Sequence, residues 1–278
     1  MKFFLITASP TIAAFALANG VDRIFVDLEV LGKAERQGHM DSVKSNHGIA
    51  DVTAVRAAIG GSPLMVRLNP LNELSVNEVD AAVAAGADIL MLPMFRTAQE
   101  VQDFSRIVDG RLPISLLVET ADAMRDLFAC IRIAGIEEVH IGLNDLTLDL
   151  GLTFMFEPLY NGMVEAMAKI IRDAGLPFGI GGVARVGEGM LPAESILLEH
   201  ARLGSNAAIL SRTFHRQAGT VEEIQQDMNF SHEVEELRRA YAAGLRVSSC
   251  ELAHATARSS ATVATIVESI QSRKSASA

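Results

Sequence analysis

Short, continuous apolar segments recur along the whole chain and alternate with segments whose apolar residues recur at helical spacing. The apolar segments are residues 3–7, 23–28, 64–68, 88–92, 114–118, 138–141, 178–180 and 206–210. Between them, residues 76–83 and 101–108 carry apolar side chains three or four positions apart, which is typical of one helix face. Apolar strands that alternate with amphipathic helices indicate a parallel sheet covered by helices.

The number of these units predicts the fold. Eight strand–helix units favour a closed (β/α)8 TIM barrel. Most strands are preceded by a glycine where a helix would end, namely Gly20, Gly61, Gly86, Gly110, Gly135, Gly175 and Gly204. An open, doubly wound sheet is the alternative, but no glycine-rich dinucleotide motif follows the first strand.

The chain is longer than the barrel requires. Of its 278 residues, we assign 1–219 to the catalytic barrel and 220–278 to a C-terminal helical extension. Within the extension, residues 221–228, 232–243 and 251–272 are predicted helices, and the polar tail beyond Arg273 is expected to be disordered. Such an extension would pack on the barrel or on a neighbouring subunit.

The first twenty residues allow two interpretations. A lysine, an apolar run and small residues near the end resemble a signal peptide. Pro10, with the polar Thr7 and Ser9, interrupts the run, so a first strand, a loop and a first helix explain the same residues better. No stretch is long enough to span a bilayer.

Net charge and cysteine content restrict the partners. A formal charge of −10 argues against a nucleic acid or an anionic membrane as partner. The two cysteines, Cys130 and Cys250, form no disulfide framework and are expected to be reduced thiols of a cytoplasmic protein.

Charged and polar residues cluster at the carboxyl ends of the predicted strands, where barrel enzymes place their chemistry. In chain order they are Asp27 and Glu29, Arg67, Glu119, Asn144 and Asp145, Gly182, and Arg212. A buried charge is costly unless it is paired or coordinated, so this ring indicates one site. Gly182 and Arg212 follow strands seven and eight, a common pocket for a phosphate or carboxylate in barrels, although glycines there can serve the turn alone.

Glu119 and Asp145 follow the fifth and sixth strands. Carboxylate oxygens at adjacent strand ends suit an octahedral Mg²⁺ or Mn²⁺ ion. The alternative is that these carboxylates are helix caps or surface groups.

Arg67 could clamp a carboxylate or an enolate in a bidentate manner. A structural ion pair with Asp27 or Glu29 is the alternative, and the two roles are compatible. Only Lys2 adjoins a predicted strand, at its amino end, so metal-assisted enolisation fits better than a Schiff base.

A long connection over residues 29–50 contains His39 and His47. Either histidine could act as general base near neutral pH, or lie on the surface without a role.

Five motifs, in order, resemble the HpcH/HpaI aldolase and citrate lyase β-chain family of metal-dependent pyruvate-type aldolases and lyases. They are FVDLE (residues 25–29), VRLNP (66–70), ILMLPMF (89–95), VET (118–120) and IGLNDLTLDLG (141–151). The resemblance spans residues 3–214 and is specific because all five occur together.

The resemblance implies a class II aldolase or carbon–carbon lyase that acts on a 2-oxo acid, through a metal-bound enolate, with a polar or sugar-derived aldehyde as partner. It implies that Glu119 and Asp145 bind the Mg²⁺ or Mn²⁺ ion. Arg67, oriented by Asp27 and Glu29, would stabilise the enolate, and backbone amides around Asn144 and Asp145 would bind the carboxylate. It also implies a homo-oligomer that exchanges C-terminal helices.

One departure from the family pattern affects the mechanism. Aldolases of this family commonly carry histidine immediately after the D-x-E motif, whereas this chain carries Val30. His39, His47, Lys33 or a bound water must then act as the base. A citramalyl- or malyl-type acyl-CoA lyase and a non-catalytic barrel subunit are the alternative functions.

Overall fold

Eight parallel strands form a closed barrel in sequence order. The computed structural model describes residues 1–32, 47–211, 213–216 and 218–277. The strands are β1 (Lys2–Ile6), β2 (Arg23–Asp27), β3 (Leu64–Arg67), β4 (Ile89–Leu92), β5 (Ile114–Val118), β6 (Ile136–Ile141), β7 (Phe178–Val183) and β8 (Ala207–Leu210). The predicted (β/α)8 barrel with extra C-terminal helices is therefore confirmed.

The helices within the described residues cover the barrel and continue beyond it. They are α1 (Pro10–Ala18), α2 (Ile49–Ile59), α3 (Ser75–Ala84), α4 (Ala98–Val108), α5 (Ala121–Cys130), α6 (Leu143–Asp149), α7 (Glu157–Tyr160), α8 (Met163–Asp173), α9 (Ala193–Leu203), α10 (Val221–Asp227), α11 (Phe230–Gly244) and α12 (Ser249–Ser277). None of them is both long and apolar enough to cross a membrane.

Two apolar layers explain why the strands read as continuous hydrophobic segments. On β2, Phe25 points into the barrel and packs in a small interior cluster. Ile24 and Val26 point outward into the larger layer between strands and helices. Since side chains alternate between the faces of a strand, a sheet that is buried on both faces needs apolar residues at nearly every position.

Residues 1–20 form the first strand, the first loop and the first helix of the barrel. Phe3 and Leu5 are fully buried between the barrel and its helices. Ser9 caps α1, because its hydroxyl accepts a hydrogen bond from the Ile12 amide, and Pro10 occupies the first helical turn. The strand-and-helix interpretation of this segment is confirmed.

The C-terminal helices pack on the same chain. Gly244 is the last residue of α11, where its α-carbon lies so close to Ala201 that an added Cβ would be 3.0 Å from the Ala201 Cβ. Helix α12 contacts α7 and α9, and the Thr256 hydroxyl donates to the buried carboxylate of Glu199. The expectation of disorder beyond Arg273 is wrong, since α12 continues to Ser277. This tail contains lysine and alanine, which favour helix.

Helix α11 is tied to the amino end of the barrel by Arg238. Its guanidinium donates to the Met1 carbonyl at 2.6 Å, to the Gly20 carbonyl at 2.7 Å and to Asp22 Oδ2 at 2.7 Å. Asp22 Oδ2 also accepts the Phe3 amide at 2.7 Å. One side chain thus links the extension to β1 and to the turn before β2.

We expect Arg238→Ala to lower the free energy of unfolding by about 1–3 kcal/mol, because partly buried carbonyl and carboxylate groups lose a charged donor. The neighbouring Arg239→Ala is the matched control: Arg239 is exposed and pairs only with Glu235 and Glu236 on its own helix, so it should cost less than about 0.5 kcal/mol. Urea denaturation of both variants measures the difference. Equal losses would show that the Arg238 contacts do not secure the extension.

Candidate active site

A cavity of about 160 Å³ opens at the carboxyl ends of the strands, and we call it the inner cavity. It is lined by Ile6, Phe25, Arg67, Leu117, Glu119, His140, Gly142, Leu143, Asn144, Asp145, Met155, Gly181, Gly182 and Ile209. The structure therefore brings together five predicted site residues that lie on four different strands or the loops after them. These are Arg67, Glu119, Asn144, Asp145 and Gly182.

Arg67 is held rigidly by the acids at the end of β2. Its Nε and Nη2 atoms donate to the two carboxylate oxygens of Asp27, each at 2.8 Å, and Nη2 lies 3.3 Å from Glu29 Oε2. Asp27 is fixed in turn, because its Oδ1 accepts the Glu29 amide at 3.1 Å. The structural ion pair considered for Arg67 is present.

The ion pair leaves part of the guanidinium for a ligand. Burial alone would lower the pKa of Arg67, but the charge and hydrogen bonds of Asp27, followed by the charges of Glu29 and Glu119, raise it above its ordinary value. The group is therefore a permanent cation. Nη1 makes no hydrogen bond to any described residue, and Arg67 lines the inner cavity, so this amino group is the donor that a ligand can use.

Glu119 is placed by two features that come from other strands. The Met94 amide, after β4, donates to Glu119 Oε1 at 3.2 Å. Met94 has a φ of 54°, which non-glycine residues adopt rarely and mostly near functional sites. On the other side, a Cβ at Gly142 would lie 2.8 Å from Glu119 Oε2. Only glycine at this position lets the buried carboxylate reach the cavity.

Asp145 and Asn144 lie in the first turn of α6, immediately after β6. The Gly142 amide continues the sheet by donating to the Val118 carbonyl at 2.9 Å, which holds the start of α6 beside Glu119. The first amide groups of a helix have no partners within that helix, so this turn presents donors toward the cavity. Asp145 is nearly buried, like Glu119.

His140 lies within β6 and lines the inner cavity. Its Nε2 pairs with the Gly181 carbonyl at 3.0 Å, and burial lowers its pKa to about 4. A Cβ at Gly179 would lie 2.4 Å from the His140 Nδ1, so this nitrogen packs against β7 rather than facing a ligand. His140 is neutral at pH 7 and supports the backbone of β7.

The connection after β2 is fastened to β3. The Val30 and Leu31 amides both donate to Asn69 Oδ1, at 2.8 and 3.0 Å, and the Val30 side chain is 52% exposed. His47 lines a separate cavity of about 300 Å³ with Leu28, Asn69 and Glu78, and does not line the inner cavity. His39 and Arg212 lie outside the described residues.

The inner cavity fits a divalent cation that needs few protein ligands. Four buried acids lie at this site: Asp27 and Glu29 pair with Arg67, and Glu119 and Asp145 line the cavity. Within the described ranges no group of three or more His, Cys, Asp or Glu side chains suits a metal ion. Mg²⁺ is commonly held by one or two carboxylates and keeps several waters or substrate oxygens, so a pair of acids is sufficient.

Sequence reasoning missed Met94 and Gly142 as parts of the site. Both act through the backbone, by an amide and by a missing side chain. A weak signal was present, because each occupies the turn after a strand and lies within one of the five motifs.

Comparison with known proteins gives one family and one fold. The family model described as HpcH/HpaI aldolase/citrate lyase matches residues 1–186. Among curated proteins no match was found.

Several solved structures share the fold. A HpcH/HpaI aldolase/citrate lyase family protein from Burkholderia cenocepacia J2315 has a TM-score of 0.63 and 16% identity, covering 81% of this chain and 93% of its own. An HpcH/HpaI aldolase from Desulfitobacterium hafniense DCB-2 has a TM-score of 0.60 and 15% sequence identity. The match covers 89% of this chain and 94% of the aldolase. Citrate synthase SbnG has a TM-score of 0.58 and 12% sequence identity. The match covers 81% of this chain and 94% of the synthase. At these identities the structural likeness shows the fold alone.

The two buried histidines should make stability depend on pH. Burial lowers the pKa of His140 to about 4 and that of His200 to about 3, from an ordinary 6.5. At pH values between these lowered pKa values and 6.5, the unfolded chain therefore binds more protons than the folded chain. Stability should therefore fall as pH decreases from about 6.5 toward 4. We expect His140→Gln to remove up to about 1.4 kcal/mol per pH unit of this slope.

Urea denaturation between pH 4.5 and 7 measures the slope. His232→Gln is the control, since that side chain is 56% exposed and should leave the slope unchanged. An unchanged slope in His140→Gln would contradict the neutral, buried state of this ring.

Proposed function

Because the chain belongs to the HpcH/HpaI aldolase/citrate lyase family, we propose that it is a divalent-metal-dependent aldolase or carbon–carbon lyase acting on a 2-oxo acid through its enolate. The observation that carries the proposal is the arrangement of Arg67. Its guanidinium is fixed by Asp27, and its remaining donor belongs to the cavity that Glu119 and Asp145 also line.

The size of the inner cavity favours a small acid. Its volume of about 160 Å³ is below the ~300–1,000 Å³ of clefts that enclose drug-sized ligands. A three-carbon 2-oxo acid such as pyruvate fits this scale. The first-turn amides of α6 are suited to its carboxylate, while Arg67 Nη1 is suited to its carbonyl oxygen.

Charge develops on that carbonyl oxygen when the adjacent carbon loses a proton or a carbon–carbon bond breaks. Arg67 is already positively charged and held in position, so it stabilises this charge without reorganising during the reaction. A divalent cation on Glu119 and Asp145 would polarise the carbonyl as a Lewis acid. The apolar walls from Phe25, Leu117 and Ile209 limit water and strengthen these interactions.

The proton acceptor differs from that of the usual family pattern. Val30 is exposed and has no titratable group, and His140 is neutral with its free nitrogen packed against β7. His47 lines a separate cavity. We therefore keep His39, in the connection after β2, as the first side chain to test, with Lys33 of the same connection or a bound water as the alternatives.

The remaining parts of the proposal concern the setting of the enzyme. We propose a polar or sugar-derived aldehyde as partner substrate, and a homo-oligomer in which α12 contributes to the contacts between barrels. Cys130 is buried and Cys250 is exposed, and both are free thiols, which supports a cytoplasmic location.

We expect the protein to exchange the methyl protons of pyruvate for deuterium when Mn²⁺ is present, as an enolising enzyme must. Arg67→Ala should reduce this exchange by about 10²–10³-fold, because the oxygen loses its fixed cationic donor. NMR of pyruvate in D2O measures the rate. Arg96→Ala is the control, since Arg96 is an exposed arginine that pairs with Asp122 and Asp149 at the surface. No exchange by the folded wild-type protein would favour the non-catalytic barrel.

A separate measurement concerns the cation itself. We expect Glu119→Ala and Asp145→Ala each to abolish Mn²⁺ binding, and Gly142→Ala to weaken it about 10–100-fold by displacing the Glu119 carboxylate. Electron paramagnetic resonance of free Mn²⁺ gives the affinity without any turnover.

Two controls accompany these variants. Asp122→Ala removes an exposed acid of α5, and Gly61→Ala adds a methyl group where no atom lies within 4 Å. Both should bind Mn²⁺ like the wild type. Unchanged affinity in Glu119→Ala or in Asp145→Ala would refute the assignment of that ligand.

A further inference from the structure

A second cavity opens beyond β7 and β8, and we call it the outer cavity. It has a volume of about 550 Å³ and is lined by Ala184, Glu188, Gly189, Thr213 and Arg216. Building on the proposed function, we propose that the outer cavity binds the aldehyde partner and selects a neutral, polyhydroxylated chain over a phosphorylated one.

The outer cavity lies along the same two strands as the inner one. Gly182 and Ile209 line the inner cavity and are register partners on β7 and β8. Ala184, two residues beyond Gly182, already lines the outer cavity. Two residues of extended chain span about 7 Å, which is the length of a short carbon chain. A partner that reacts in the inner cavity can therefore extend into the outer one.

Four described side chains at the outer cavity carry charges that balance one another. The guanidinium groups of Arg185 and Arg216 donate to opposite oxygens of Asp227, at 2.9 and 2.7 Å. Glu188 completes the ring, with one oxygen 3.2 Å from Arg216 Nη2 and the other 3.5 Å from Arg185 Nε. Two cations thus face two anions among these four described side chains.

This balance disfavours a phosphate group. A phosphate dianion is held best where positive charge exceeds negative charge, and here the carboxylates of Asp227 and Glu188 offset the charges of both guanidinium groups. It would also lie beside the carboxylate of Glu188, which repels it and is itself part of the lining. Phosphate pockets of barrels do occur after strands seven and eight, but the residues described here lack the excess of positive charge that such a pocket uses.

The same groups suit hydroxyls. A hydroxyl donates one hydrogen bond and accepts others, so it can donate to Glu188 while it accepts from Arg216. The Thr213 hydroxyl, which pairs with Ser211 at 2.7 Å, adds a group of the same kind to the lining. Adjacent hydroxyls of a polyol can satisfy the carboxylate and the guanidinium together, whereas a plain alkyl chain satisfies neither.

The backbone conformation at Arg216 also indicates that the side chains of the outer cavity are held in defined positions. Arg216 has a φ of 47°, which costs energy for a residue with a side chain and is maintained here by its pairing with Asp227 and Glu188. Arg185 is almost fully buried and serves as a positioning residue, because it holds the acid that orients Arg216.

Binding of unreactive four-carbon probes tests the selectivity without turnover. We expect erythritol to bind the full-length protein at least tenfold more tightly than either erythritol 4-phosphate or butane-1,4-diol, measured by saturation-transfer NMR titration. Glu188→Gln removes the negative charge. It should weaken the binding of erythritol at least tenfold and reduce the discrimination against erythritol 4-phosphate. Thr213→Val, which keeps the shape of the side chain, should weaken the binding of erythritol without strengthening the binding of erythritol 4-phosphate.

Glu222→Gln is the matched control, because Glu222 is an exposed acid of α10 that does not line the cavity, and its three affinities should equal those of the wild type. Tighter binding of the phosphate than of erythritol would overturn the proposal, and so would equal binding of all three probes.

Reaction assays connect the cavity with the chemistry and separate the two proposals. With pyruvate and Mn²⁺, kcat/KM for glyceraldehyde should exceed that for glyceraldehyde 3-phosphate and for propanal at least tenfold. Normal deuterium exchange into pyruvate with the opposite preference would overturn the role of the outer cavity alone. Absence of exchange in the folded protein would overturn the proposed function, and with it the assignment of an aldehyde to this cavity.

Discussion

The site depends on one buried ion pair, in which Arg67 donates two parallel hydrogen bonds to Asp27. These residues are register partners at the ends of β2 and β3, so the closed sheet places them opposite each other before any ligand is present. A guanidinium in this position would be costly without its acids. The pair also restricts the rotation of Arg67 and leaves a single amino group for a substrate. The stability of the barrel and the proposed chemistry therefore both require Asp27 to lie beside Arg67.

The charged residues at the carboxyl ends of the strands form the last layer of side chains inside the barrel. Asp27, Arg67 and Glu119 each follow an inward apolar residue by two positions, namely Phe25, Met65 and Leu117. Because alternate residues of a strand share a face, a barrel filled with side chains below must present the next inward residues at its carboxyl end. The apolar layer beneath closes the bottom of the inner cavity and keeps the charges above it partly shielded from water. Packing thus contributes to the strength of the electrostatic site.

The parts of this site that sequence patterns reveal are those that depend on local periodicity. Runs of apolar residues located all eight strands, and charged residues at the carboxyl ends of these runs gave Arg67, Glu119 and Asp145. The supporting contacts depend on residues far apart in the chain, such as the Met94 amide on Glu119 and the space above Gly142. Residue type carries no information about an amide donor or about which side chain approaches a glycine. His140 shows the same limit, since its apolar strand predicts burial but not that it lines the cavity.

The two cavities differ in the elements that build them, and this difference bears on how specificity can change. Residues of the inner cavity sit on strands or directly after them, where hydrogen-bonded register fixes their positions. Residues of the outer cavity belong to the loops after β7 and β8, where ion pairs and hydrogen bonds within the loops hold them in position. Loops tolerate substitution better than barrel strands, because fewer buried contacts depend on them. Under the proposed role of the outer cavity, a change at Glu188 or Thr213 would alter which partner is accepted while the pair of Arg67 and Asp27 stays in place. We infer that the barrel separates enolisation, which requires rigidity, from partner selection, which requires only a compatible set of donors and acceptors.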